Sequence, residues 1–176
     1  MGRCRLFGQV VTELGGWWSG VLHPLDEHHL VLMLVVGVLA GIATTQGREP
    51  WIGPLAFIGG TLLGIAGAAA GLDVPFLEGA LVGGLVVGVA LMFAPPPRMS
   101  TVLPLASLVG GTLHGLSYRG DVSTADPVLY VLGFVFTTVL LQSFGAITGS
   151  AIGRSVAARR AAAVCAAAAT VAVLAV

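Results

Sequence analysis

The stretch PVLYVLGFVFTTVLLQSFGAITG, from Pro127 to Gly149, decides the fold. It contains no charged residue and is longer than the about 20 apolar residues that a membrane-spanning helix requires. Its first residue is a proline, which suits the first turn of a helix. We therefore predict that this stretch spans a lipid bilayer and that the chain is an integral membrane protein.

The composition of the whole chain supports the same class. Of the 176 residues, 56% are hydrophobic and only 9% are charged, whereas soluble domains carry about 25% charged residues. This excludes a soluble globular domain and a disordered chain, and it disfavours nucleic-acid binding, which needs a basic face. All eight basic residues are arginines, so neither a Walker A lysine nor a lysine Schiff base is available.

Further apolar runs precede and follow the quoted stretch, each closed by charged residues, prolines or a polar loop. They predict an all-α, polytopic membrane protein, a compact bundle of about six transmembrane helices. The predicted spans cover residues 29–45, 51–71, 76–94, 101–118, 127–149 and 161–176. Residues 1–28 are predicted to be an N-terminal interfacial segment or a degenerate signal sequence, and residues 29–176 the six-helix transmembrane domain.

Small residues recur at four-residue spacing within these runs, and in lipid such spacing lets helix backbones approach closely. We interpret these positions as helix-packing positions. The glycine pairs are Gly37/Gly41, Gly60/Gly64, Gly79/Gly83, Gly84/Gly88, Gly111/Gly115 and Gly145/Gly149.

The arginines predict the orientation. With six spans, three arginines lie on the side that carries both chain termini, and the other five lie on the opposite side. Because cytoplasmic loops are enriched in basic residues, the second side is predicted to be cytoplasmic. The protein is thus expected in the cell inner (plasma) membrane with its N-terminus outside.

Ionisable residues near the spans are few, and they collect at one depth. Alternation of the helices places the start of span 1, the start of span 3 and the end of span 4 on the same side of the membrane. Neutral imidazoles bind nickel, cobalt, zinc and copper ions, and carboxylates can complete the shell. The sequence therefore predicts a divalent transition-metal site. Its predicted ligands are His23, His28, His29, Glu78 and His114, with Asp26 or Asp121 as accessory ligands.

Most of these residues also have a structural interpretation. Asp26 and Glu27 are suited to cap a helix and to complement its dipole, as is Glu78 in the first turn of span 3. His28 and His29 are suited to the membrane interface, and His114 to an interhelical hydrogen bond. It is the coincidence of these residues on one side that favours a metal site.

Several motifs in order resemble the HupE/UreJ family, the hydrogenase- and urease-associated membrane proteins regarded as nickel permeases. His23 and His29 match the two histidines of the family's first signature, with one residue less between them and His28 in place of an aspartate. His114-Gly115 resembles the start of the second signature, in which Tyr118 replaces a second histidine and Asp121 stands for a glutamate. The remaining matches are Pro54 to Phe57, Pro75 to Glu78, and Gly133 to Gly145, where Gln142 replaces a histidine.

The resemblance implies a permease for a divalent metal ion, with nickel favoured and cobalt or zinc chemically allowed, that supplies hydrogenase or urease maturation. Its expected partners are the metal ion, the lipid bilayer and nickel-enzyme maturation proteins, and no nucleic acid. No tightly bound cofactor and no enzymatic activity are expected, and the oligomeric state stays open. The alternative is a metal-binding membrane sensor or an accessory or assembly protein without transport activity.

Overall fold

The structure, a computed structural model, describes residues 15–25, 27–94, 96–117 and 126–174. The described residues are helical or lie in turns, with no strand among them, which confirms the all-α prediction. A 3-10 turn, His23–Leu25, follows the first helix. The α-helices are α1 (Gly15–Leu22), α2 (Glu27–Thr44), α3 (Ile52–Ala69), α4 (Leu77–Leu91), α5 (Pro96–Leu116), α6 (Pro127–Ile152) and α7 (Val156–Leu174).

Two described helices, α3 and α6, are long and apolar enough to cross a membrane by themselves. A third span results if residues Gly15–Leu25 and His29–Thr44, whose axes differ in direction by 69°, are counted as one bent span. The apolar helix α4 and the apolar part of α5, Thr101–Leu116, are shorter than 18 residues. The structure thus confirms apolar helices of membrane-spanning length but does not confirm the predicted number of six spans.

Helix α2 is the centre of the bundle. It packs against α3, α4, α5, α6 and α7, and none of its residues from His29 to Thr44 is exposed. The sequence of α2 after His29 contains no charged residue, which is compatible with burial on all sides in the bundle. From His29 onwards, α2 is therefore enclosed by its neighbouring helices.

Helices α1 and α2 lie in succession along α6. Gly20 of α1 packs against the backbone of Tyr130, and Gly41 of α2 packs against the backbone of Ala146. With its 26 residues, α6 is about 39 Å long, enough to accompany both shorter helices. The break between α1 and α2 therefore lies near Phe134, between the parts of α6 that contact α1 and α2.

Helices α3 and α5 form a second close pair. A Cβ atom added at Gly60 would overlap the carbonyl oxygen of Leu108, and one added at Gly111 would overlap that of Phe57. Only glycine allows the two backbones to approach so closely. This pair places the end of α5 next to the middle of α3.

The glycine-packing prediction is confirmed for the pairs in α2, α3, α5 and α6, where added Cβ atoms would meet a neighbouring backbone. It is wrong for Gly79, Gly83 and Gly84 of α4, because nothing lies within 4 Å of a Cβ atom added there in the described part of the chain. Gly88 is different again, since it packs against the side chain of Val35.

Several boundaries differ from the prediction. The last helix, α7, begins at Val156 and not at residue 161. Helix α5, the fourth predicted span, begins at Pro96 and not at residue 101. Proline is compatible with the first helical turn, because the backbone N–H groups there have no partner within the helix. Residues 15–22, predicted as part of an interfacial segment, form α1 and pack on α6 through Gly16 and Gly20.

Candidate metal site

Three histidines from different elements converge in the bundle. His23 lies in the 3-10 turn after α1, His29 in the first turns of α2, and His114 in the last turn of α5. One ring nitrogen from each lies within 4.8 Å of one nitrogen from each of the others. The break between α1 and α2 and the end of α5 thus bring together three side chains that are far apart in sequence.

The three imidazole rings are in mutual contact. The rings of His23 and His29 are stacked, with centroids 4.7 Å apart and planes inclined by 23°. The rings of His29 and His114 meet edge to face at 4.3 Å, and those of His23 and His114 are 6.0 Å apart. The cluster therefore gathers three imidazole groups, each a possible nitrogen ligand, in one small space.

Aromatic side chains surround the histidines. Phe134 of α6 stacks on His114 at 5.3 Å, and Phe57 of α3 lies 5.7 Å from the same ring. Tyr130 and Phe134 both approach His23, at 5.9 and 5.8 Å. These residues give the site an apolar wall, in which an electrostatic interaction is stronger than in water.

His114 is the most enclosed of the three histidines. Its side chain is 2% exposed, and both ring nitrogens are buried without a hydrogen-bond partner among the described residues. A buried polar atom without a partner costs about 1–3 kcal/mol, so native proteins rarely keep one without a reason. The predicted interhelical hydrogen bond of His114 is therefore not present in the described part of the chain, and its nitrogens remain available to a ligand.

The nitrogen atoms are close to the spacing that one metal ion requires. At metal–nitrogen distances of about 2.0–2.1 Å, two imidazole ligands of one tetrahedral ion lie about 3.4 Å apart. Small rotations of the rings would bring nitrogens that lie within 4.8 Å of one another to this spacing. A metal ion bound by three imidazoles keeps at least one coordination position open, as in sites where the metal exchanges a ligand.

A small cavity adjoins the histidines. Its lining includes His23, His114, Thr61, Gly115 and Phe134. The hydroxyl of Thr61 donates to the carbonyl oxygen of Phe57, so that its oxygen can still accept a hydrogen bond. The cavity is too narrow in this conformation to hold a water molecule, so a further ligand of the metal would require its walls to move apart.

Glu78 lies apart from the three-histidine group. It is exposed in the first turn of α4 and lines a second cavity with Phe76 and Ser117. The Ser117 hydroxyl donates to the carbonyl oxygen of His114 at 2.6 Å, which places this second cavity one turn from the site. Phe76 before α4 has a φ of 59°, a left-handed conformation that is uncommon for a residue other than glycine. We call this second cavity, which carries the carboxylate of Glu78, the vestibule.

The sequence model of the HupE / UreJ protein family matches residues 8–175, almost the entire chain. The chain belongs to the HupE/UreJ family. The HupE/UreJ proteins are membrane-associated accessory and transport proteins, not enzymes, and they are associated with nickel and cobalt transport. Comparison of this HupE/UreJ chain with curated proteins and with solved structures gave no match.

Three other predicted ligands of this HupE/UreJ protein cannot be placed around the site. Asp26 and Asp121 lie outside the described residues, and for His28 only the backbone, in the first turn of α2, is described. They stay predictions from the sequence.

The structure adds site residues that the sequence interpretation did not select. Phe57, Thr61, Tyr130 and Phe134 touch the histidines or line their cavity. Phe57 and Phe134 belong to the stretches that carry the HupE/UreJ resemblance, but an aromatic residue in an apolar helix gives no sign of what it contacts. Only the separation of four residues between Tyr130 and Phe134 indicated that both face one side of α6.

Proposed function

We propose that this protein is a membrane permease for a divalent transition-metal ion, with nickel as its favoured cargo. One observation carries the proposal: ring nitrogens of His23, His29 and His114 lie within 4.8 Å of one another. Three neutral imidazoles form a donor set that nickel, cobalt and zinc accept, whereas magnesium and calcium prefer oxygen ligands. The family association with nickel and cobalt transport supports nickel among these ions.

The position of the histidines in the fold suits transport. His23 lies at the interruption between α1 and α2, beside the end of α5. Backbone that interrupts a helix at membrane depth is tolerated where it is buried in protein or lines a cavity, and broken helices form the ion sites of many transporters. A metal-binding site at such a break can change its exposure when the helix segments move.

The proposal includes a direction. In a bundle of six spans in the inner membrane with the N-terminus outside, the histidines and Glu78 face outward and five of the eight arginines face the cytoplasm. Glu78 at the vestibule would receive the cation, and His28, Asp26 or Asp121 would complete the ligand set. The protein would supply nickel for hydrogenase or urease maturation, by transport that is either facilitated or coupled to an ion gradient.

Uptake of radioactive nickel into vesicles that contain the purified protein tests the proposal. We expect the double variant His29→Ala with His114→Ala to lose uptake, whereas Thr148→Val keeps it. Thr148 is a suitable control because it is exposed on α6 and bonds only to Phe144 of its own helix. Equal uptake by the wild type and the double variant would refute the permease. Metal binding in detergent without uptake by the wild type would instead favour a sensor or accessory protein.

A further inference from the structure

Four buried residues follow one another along α6 from the metal site into the bundle. Tyr130 and Phe134 contact the ring of His23, and Thr138 and Gln142 continue the series at intervals of four residues. Residues four positions apart are neighbours on a helix surface. With a rise of 1.5 Å per residue, Thr138 lies about 6 Å and Gln142 about 12 Å beyond Phe134 along the helix axis.

The two deeper side chains are polar and enclosed. Thr138 is 0% and Gln142 is 2% exposed. Neither the Thr138 hydroxyl nor either amide atom of Gln142 has a hydrogen-bond partner among the residues that the structure describes. Other helical threonines here donate to a backbone carbonyl four residues earlier, as Thr148 does to Phe144. Two adjacent residues therefore hold desolvated polar atoms, an arrangement that costs free energy unless a ligand uses it.

A further buried polar atom without a hydrogen-bond partner among the described residues lies on another helix. Ser107 precedes His114 by seven residues on α5, about 10 Å along the axis. Its hydroxyl is also buried without a hydrogen-bond partner in the described ranges. His114 contacts Phe134, and the rise from His114 to Ser107 along α5 is similar to the rise from Phe134 to Gln142 along α6.

We propose that Thr138 and Gln142 form a second, weaker cation site, to which the ion passes from the three histidines. This inference rests on the proposed permease function and extends it with a transit site. The ligands are the Oγ1 atom of Thr138 and the Oε1 atom of Gln142. The ion moves between the sites without forming or breaking a covalent bond.

The chemistry of the two sites suits transit. Neutral oxygens of an amide and a hydroxyl are weaker ligands for nickel than imidazole nitrogens. An ion path has to bind its cargo strongly enough to admit it and weakly enough to release it. A strong outer site followed by a weak inner site therefore allows the ion to leave towards the opposite face.

The experiment compares the wild type with a double variant that carries both Thr138→Val and Gln142→Met. Both substitutions keep the approximate shape of the side chain and remove only atoms that make no hydrogen bond in the described structure, so the fold is expected to persist. The matched control combines Ser143→Ala with Thr148→Val, which remove polar atoms from exposed positions on the same helix. Nickel binding in detergent, uptake into vesicles and the thermal unfolding midpoint are measured for each protein.

We expect the double variant to bind nickel as the wild type does but to take it up about tenfold more slowly. A change of about this size is expected when a contact to a charged group is lost. Wild-type uptake by the double variant would overturn the transit site. A lower unfolding midpoint, with binding and uptake lost together, would also overturn it, because the two residues would then be structural. Loss of binding in the His29→Ala and His114→Ala variant is a separate result and tests only the permease proposal.

Discussion

The imidazole of His114 at the end of α5 meets the imidazole of His29 at the start of α2 edge to face, with ring centroids 4.3 Å apart. The two residues are separated by 85 positions in the sequence. Their contact depends on the packing of the central helix α2 and on the close pairing of α3 with α5. Together these bring the start of α2 next to the end of α5.

Removal of one histidine should weaken metal binding without unfolding the bundle. We expect His114→Ala to reduce nickel affinity by at least about 100-fold, since even residues that only support a metal ligand contribute about 10- to 100-fold. Isothermal titration of the detergent-purified protein measures the change. Ser143→Ala, on the exposed face of α6, is the control and should bind like the wild type. An unchanged affinity of the His114 variant would remove this residue from the ligand set.

Metal binding should depend on pH, because a protonated imidazole cannot ligate a metal. The ordinary pKa of histidine is about 6.5, so affinity is expected to be full above this pH and to fall as the pH is lowered through it. Between about pH 7.5 and pH 5.5 we expect at least about a tenfold loss. The dependence should be less steep for His29→Ala, which has one competing imidazole fewer. A constant affinity over this range would mean that histidines do not bind the ion.

The vestibule carboxylate should affect the arrival of the ion more than its binding at equilibrium. Glu78 is exposed and lies outside the three-histidine group. We therefore expect Glu78→Gln to slow uptake at low ionic strength by about tenfold, through loss of electrostatic attraction, while the affinity of the purified protein stays the same. Glu49→Gln, an exposed carboxylate before α3, is the matched control. A loss of affinity equal to that of His114→Ala would instead make Glu78 a direct ligand.

The glycines of α3 and of α4 should respond differently to the same change. A Cβ atom at Gly60 would overlap the backbone of Leu108, whereas one at Gly83 would meet nothing within 4 Å in the described structure. We expect Gly60→Ala to destabilise the protein by about 1–3 kcal/mol, as overpacking does, and Gly83→Ala to leave it unchanged or slightly more stable. Thermal unfolding in detergent measures both. Equal unfolding midpoints for the two variants would contradict the described pairing of α3 with α5.

The sequence predicted those features of the fold that depend on composition and on helix alternation. Apolar runs gave the positions of most helices, because a long uncharged stretch has few alternatives to a membrane helix. Alternation placed His29 and His114 on one side, and the structure brings them into contact. The sequence could not show that His23 lies at a helix break, because a 3-10 turn of three residues leaves no periodic pattern.

Other features depend on tertiary packing and could not be derived from one sequence. Glu78 was predicted at the same depth as the histidines, but depth does not determine which helix faces which, and the structure places it in a separate cavity. The glycines of α4 have the same spacing as those of α3, yet only those of α3 meet another backbone. Likewise, nothing in the spacing of Phe57 or Thr61 shows that they adjoin His114.

X-ray absorption spectroscopy of the purified protein loaded with one equivalent of nickel tests the central claim most directly. The claim is that His23, His29 and His114 bind one ion together. We predict scattering from about three imidazole ligands at about 2.0–2.1 Å, the usual length of such metal–nitrogen bonds, and one imidazole fewer in His114→Ala. A spectrum with only oxygen ligands, or an imidazole number that is the same in the variant, would contradict the account.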